Sequence, residues 1–143
     1  MFRCSTLWVS AAVVLLISPG SHRASAEAAL ALGISGDIAK DGYSLGITVN
    51  KDTEEKAREA ALEWCRNHGS PATRSNCRVI SVFRHQCAAE ANDPEPGTPG
   101  VGWAIGADKE TAEKMAMTGC LATAGRERQR FCAVATSLCD TRP

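Results

Sequence analysis

The stretch AREAALEWCRNHGSPATRSNC, residues 57–77, decides the fold, because its pattern returns as AEKMAMTGCLATAGRERQRFC at residues 112–132. In each copy a cysteine ends an apolar helical face, and a second cysteine follows after 11 intervening residues. Small or apolar residues stand at i, i+3, i+4, i+7 and i+8, which is the spacing of one helix face. The copies predict helices over about 53–67 and 108–123, capped by Asp52 or Thr53 and by Asp108.

Segments with strand character flank both predicted helices. The stretches GYSLGI (42–47) and GVGWAI (100–105) alternate large and small side chains, as strands buried on one face do. β-branched segments that begin at Cys77 and Cys132 predict a strand after each helix, and residues 36–39 and 88–91 are expected to form a short strand that opens each half. The sequence therefore predicts an α+β fold of two pseudo-symmetric β-β-α-β halves, 36–87 and 88–139.

Residues 1–26 have the composition of a cleavable signal peptide. Arg3 precedes the apolar run Leu7–Ile17, and residues 24–26 (ASA) are small, as cleavage sites require. The run is shorter than the ~20 residues that cross a bilayer, so we expect it to be removed and no membrane span to remain. The chain is then a single secreted or periplasmic domain, residues 27–143. Without Arg3 and Arg23 it has 14 basic and 16 acidic side chains, a balance that does not favour nucleic acid as a partner.

The cysteines of residues 27–143 are even in number, which in a small exported chain predicts three disulfides. Zinc sites place cysteines two to four residues apart, whereas the smallest gap here is six residues, so neither a metal nor another cofactor is expected. Equal spacing predicts one bond after each helix. The last cysteine of each half then remains, and a pseudo-dyad can bring such equivalent positions together. The predicted pairs are Cys65–Cys77, Cys120–Cys132 and Cys87–Cys139.

The order of these segments resembles the domain of unknown function 4189 family of bacterial exported proteins. The resemblance rests on the Ile-Ala segment 36–39, the aromatic and glycine strand 42–46, the alanine-rich helix that ends in Cys65, and the segment from Cys77 to Cys87. It continues through the second glycine-tryptophan strand and helix to Cys139. The family implies export and paired α/β halves, but it supplies no agreed activity and therefore no catalytic residue.

Catalytic signals are weak in this sequence. His68 and His85 are the histidines of the predicted domain, and neither stands in a Gly-x-Ser-x-Gly elbow or a comparable nucleophile motif. The aromatic residues lie on apolar faces, so Trp64 and Tyr43 are expected to pack in the core. We therefore expect a non-enzymatic binding or interaction module, such as an inhibitor or an immunity protein. The alternative is a small secreted hydrolase that uses His68 or His85.

Positive charge collects in the segments that follow the two helices. Acidic residues are absent between Glu63 and Glu90, and only Glu127 accompanies the arginines of the second segment. Guanidinium groups bind carboxylates and phosphates bidentately, so these segments are candidates for binding an acidic protein or an envelope polymer. Solvated arginines that offset the helix dipoles are the alternative. The candidate residues are Arg66, Arg74, Arg78, Arg84, Arg126, Arg128 and Arg130.

Overall fold

A computed structural model describes residues 27–141, so the predicted signal peptide and its cleavage point lie outside the described residues. Two three-stranded antiparallel sheets carry the fold, with strand orders β2-β1-β3 and β5-β4-β6. In both, the strand that comes first in the chain is central. The elements are β1 (Glu27–Gly33), α1 (Ile38–Asp41), β2 (Ser44–Lys51), α2 (Glu54–His68), β3 (Arg78–Phe83), β4 (Cys87–Asn92), β5 (Val101–Gly106), α3 (Lys109–Thr123) and β6 (Ala133–Cys139).

The two sheets pack face to face between the two long helices. On β1, Ala29 and Ala31 contact the buried face of α2, whereas Ala28 and Leu30 belong to a cluster that includes Ala88 of β4. The other face of β4 packs in the same way against α3. The result is a helix-sheet-sheet-helix stack, and it has the predicted α+β class with two β-β-α-β halves.

Both long helices begin where their caps predict. The side chain of Thr53 accepts a hydrogen bond from the backbone N–H of Lys56, and Asp108 accepts one from Thr111. These bonds satisfy amide groups that the first turn of a helix leaves without an intrahelical partner. The helices therefore occupy Glu54–His68 and Lys109–Thr123, within a residue of the predicted ranges.

The predicted opening strand at 36–39 is wrong. Asp37 caps the short helix α1 there, since its side chain accepts a hydrogen bond from the backbone N–H of Lys40 at 3.0 Å. Gly36 and Gly42, with φ of +120° and +71°, turn the chain on either side of that helix. The opening strand of the first half is instead β1, so the matching halves begin at Glu27 and Cys87 rather than at residues 36 and 88.

The three disulfides join Cys65 to Cys77, Cys120 to Cys132 and Cys87 to Cys139, which are the predicted pairs. The reason given for the third pair is wrong, because no pseudo-dyad relates its two cysteines. Cys87 opens β4 and lies directly opposite Cys139 of β6 in one antiparallel ladder. This bond is therefore a cross-strand staple within the second sheet.

An ion pair takes the place of that staple in the first sheet. Ala28 lies opposite Phe83 as Ala88 lies opposite Leu138, so Glu27 and Arg84 have the register positions that the two cysteines have in the second sheet. The guanidinium of Arg84 donates to the carboxylate of Glu27, which is buried. The equivalent strand pairs are thus joined by an ion pair in the first sheet and by a disulfide in the second.

Within residues 27–141, no helix is long and apolar enough to cross a membrane.

Candidate functional site

A groove opens between the two sheets on the side where the edge strands β2 and β6 face each other. It encloses about 210 Å³, with walls of Leu45 and Ile47 from β2 and Thr136 and Leu138 from β6. A second compartment continues past Tyr43 towards the end of α2. The position follows from the fold, because each sheet presents one apolar face to the other and the edge strands leave the seam open.

Glu90 lies where the two compartments meet, and it is held by Tyr43, which precedes β2, with Asn92 of its own strand β4 bonded in turn to Tyr43. The phenol of Tyr43 donates a hydrogen bond to Oε1 of Glu90, and Nδ2 of Asn92 donates to the Tyr43 oxygen at 2.8 Å. Burial raises the pKa of Glu90, although the hydrogen bond from Tyr43 opposes the rise. Burial, followed by the nearby Glu90 carboxylate, raises the pKa of Tyr43 as well. Asn92, Tyr43 and Glu90 therefore form one polar chain in the seam between the sheets.

Symmetry shows that this carboxylate is not needed for packing. Leu30 lies opposite Ser81 in the first sheet as Glu90 lies opposite Thr136 in the second, so the two side chains have equivalent places. A leucine fills that place in the first half, and even a partly buried carboxylate costs free energy unless it is compensated. Glu90 is not among the residues predicted from the sequence, where its only signal is an acidic residue within the alanines of 88–91.

Trp64 is exposed, contrary to the expectation that it packs in the core. The apolar face of α2 consists of Ala57, Ala61 and Cys65, and Trp64 is on the flank of that face beside β2. Its side chain is 52% exposed and lines both compartments of the groove. The imidazole of His68 stacks on the indole with ring centroids 3.8 Å apart, one turn further along the helix. The small alanines bring α2 so close to the sheet that a large ring must leave the interface.

The two histidines lie apart from any recognisable nucleophile arrangement in the described part of the chain. Nδ1 of His68 is 3.2 Å from the carbonyl oxygen of Trp64, and the nearby hydroxyl of Ser70 donates to the carbonyl of Asp41. His85 has a φ of +52° in the turn after β3, where its backbone N–H donates to Asp140 at 3.0 Å. Use of either histidine in hydrolysis stays a prediction.

Three of the candidate arginines form hydrogen bonds or ion pairs with other residues of the chain. Arg128 donates to both carboxylate oxygens of Asp93 at 2.7 Å and pairs with Glu95. Its hydrogen bonds lower the pKa of Asp93, whose side chain has no exposed surface. Arg84 pairs with Glu27, and Nε of Arg74 donates to the carbonyl of Gly69 at 2.9 Å. Arg128 thus anchors the loop 93–99 through Asp93 and Glu95.

The other four candidates are exposed, and they are spread over separate elements. Arg66 is on α2, Arg78 opens β3, and Arg126 and Arg130 flank the turn after α3. The guanidinium of Arg130 stacks over the ring of Phe131, 4.7 Å from its centroid. Binding of an acidic partner by these residues stays a prediction.

The family model described as Domain of unknown function (DUF4189) matches residues 28–139, which is nearly all of the described chain. The chain belongs to the DUF4189 family. No curated protein and no solved structure gives a significant match. The matched range of this DUF4189 domain begins in β1 and ends at Cys139, so it contains both sheets, both long helices and the groove.

Proposed function

We propose that this DUF4189 domain is an exported, non-enzymatic binding module whose ligand site is the groove between β2 and β6. Export is supported by the signal-like composition of residues 1–26 and by three disulfides, which persist in oxidising compartments. A binding role fits the chemistry of the groove, because ligand sites combine apolar walls with a few fixed polar groups.

The exposed Trp64 ring is the observation that carries the proposal. Trp64 is 52% exposed beside the groove, so a ligand that covers its ring removes apolar surface from water and gains binding free energy. His68 already holds the ring through a stacked contact, so less side-chain entropy is lost on binding. The polar chain that ends on Glu90 supplies a directional group at the base of the groove.

Three probes that share a ring and differ in charge test this site: benzyl alcohol, benzylamine and benzoate. We expect at least one of them to cause saturable chemical-shift changes at the Trp64 indole and the groove residues. Trp64→Ala should weaken that binding at least about fivefold, since a stacking contact with an aromatic side chain is worth ~1–3 kcal/mol. Met115→Ala is the matched control, because Met115 is 51% exposed on α3, away from the groove.

Two outcomes contradict the proposal. One is that no probe perturbs the groove at millimolar concentration, and the other is that Trp64→Ala and Met115→Ala weaken binding equally. Shifts from benzoate alone, confined to residues 66–78 and 126–130, would move the site to the arginine-rich segments.

The double variant His68→Ala with His85→Ala tests the non-enzymatic part of the proposal. We expect it to retain binding of the groove probe, weakened by no more than about tenfold, because it removes one stacked ring from Trp64 but no hydrogen-bond partner of Glu90. A cellular phenotype of gene deletion should also be rescued by this variant. Loss of rescue with retained probe binding and fold would favour a histidine-dependent hydrolase instead.

A further inference from the structure

The carboxylate at the base of the groove indicates what kind of group the ligand brings. Of the described residues that line the two compartments, Glu90 supplies the only carboxylate, and none is a lysine or an arginine. Tyr43, His68 and Trp64 complete the polar and aromatic surface around it. A positive group placed here would meet a carboxylate and the Trp64 ring, and aromatic rings attract cations.

The hydrogen bonding of Glu90 favours an ammonium over a guanidinium. Arginine binds a carboxylate best through both oxygens at once, and Oε1 of Glu90 already accepts the Tyr43 hydroxyl. Lysine is a compact point charge on a flexible apolar stem, so it can reach a single oxygen while its methylene groups contact apolar walls.

The dimensions of the groove fit one long side chain. A volume of about 210 Å³ between Leu45, Ile47 and Leu138 is too small for a folded surface but suits a four-carbon stem. The walls belong to β2 and β6, which are edge strands of their sheets, so an extended polypeptide can run along either rim.

On these grounds we propose that the groove receives a lysine side chain of a partner polypeptide, with its ammonium on Glu90 and its stem against Trp64. This inference rests on the proposed function of the groove and names the chemistry of its ligand. The pairing also accounts for a carboxylate at a place where the first half has Leu30, because a cation compensates the burial of Glu90.

The test uses two blocked tripeptides that differ in one terminal group, Ac-Ala-Lys-Ala-NH2 and Ac-Ala-norleucine-Ala-NH2. We expect the lysine peptide to bind the unchanged protein about tenfold more tightly or better, as one charge-assisted hydrogen bond provides. Glu90→Gln should reduce that ratio to near one, because glutamine keeps the size and can still accept from Tyr43. Glu63→Gln is the control, since it removes an exposed carboxylate next to Trp64 in sequence but outside the groove lining.

The outcomes separate this inference from the proposed function. Equal binding of the two peptides in the unchanged protein overturns the lysine assignment, and the groove remains a binding site for whichever benzyl probe occupies it. Equal ratios in Glu90→Gln and the unchanged protein overturn the role of Glu90 even if lysine is preferred. Should n-butylamine bind as tightly as the lysine peptide, a polypeptide partner is contradicted. If none of the benzyl probes, the peptides or n-butylamine binds, the proposed function of the groove is wrong as well.

Discussion

Gly46→Ala is expected to lower the free energy of unfolding by roughly 3 kcal/mol, near the upper end of what overpacking a tight interface costs. A Cβ at Gly46 would lie 2.1 Å from the carbonyl oxygen of Ala61 and 2.8 Å from the amide nitrogen of Cys65. Both atoms are helix backbone, so no side-chain rotation relieves the clash and α2 must move away from β2. Gly102→Ala should act similarly, because a Cβ there would lie 2.1 Å from the carbonyl oxygen of Ala116.

Gly125→Ala separates this steric effect from the general loss of a glycine. A Cβ at Gly125 would meet nothing within 4 Å, but the residue has a φ of +72°. We expect its cost to be about 1–2 kcal/mol from backbone conformation alone. Urea unfolding of the oxidised proteins gives the comparison. If Gly46→Ala costs no more than Gly125→Ala, the close helix approach is not a source of stability.

The two long helices could be predicted because their signals are local. Thr53 and Asp108 cap the helices through residues three positions away, and the small residues of each helix face recur at a fixed period. Gly46 and Gly102 stand among larger residues of β2 and β5, at the points where the helix backbones come closest to the strands. Each of these features depends on one short stretch of chain.

β1 could not be predicted in the same way. Its sequence EAALALG is buried along the whole strand, because one face contacts α2 and the other contacts the second sheet. A strand buried on both faces lacks the alternation that indicates a half-exposed strand, and alanine has little preference for strands. The segment also follows the predicted cleavage point directly.

The candidate site depends on which strands face each other. Glu90, Tyr43 and Trp64 are far apart in sequence, and they meet because the β2 edge of one sheet lies over the β6 edge of the other. No sequence motif or residue spacing indicates that these three residues lie together. An exposed ring at the flank of α2 and a carboxylate among alanines are ordinary features until the sheets are stacked.

Cys87→Ser combined with Cys139→Ser is expected to destabilise the domain more than loss of either other disulfide. This bond closes 52 residues, against 12 for each of the other two. On the chain-entropy account its loss costs roughly 4 kcal/mol, compared with about 3 kcal/mol for the shorter loops. It also removes the covalent link between β4 and β6, which forms one wall of the groove, and leaves the pair to its ladder.

The matched comparisons are the double variant Cys120→Ser with Cys132→Ser and the single variant Glu27→Gln. Glu27 and Arg84 close the equivalent strand pair, but Arg84 is half exposed, so we expect loss of their ion pair to cost under about 1 kcal/mol. Urea unfolding of each purified variant should therefore rank the losses as Cys87–Cys139, then Cys120–Cys132, then Glu27. A loss for Cys87–Cys139 no larger than that for Cys120–Cys132 would show that loop length does not set the effect. In that case the ladder hydrogen bonds would suffice to hold β4 to β6, and the disulfide would add little more than the Glu27–Arg84 ion pair adds between β1 and β3.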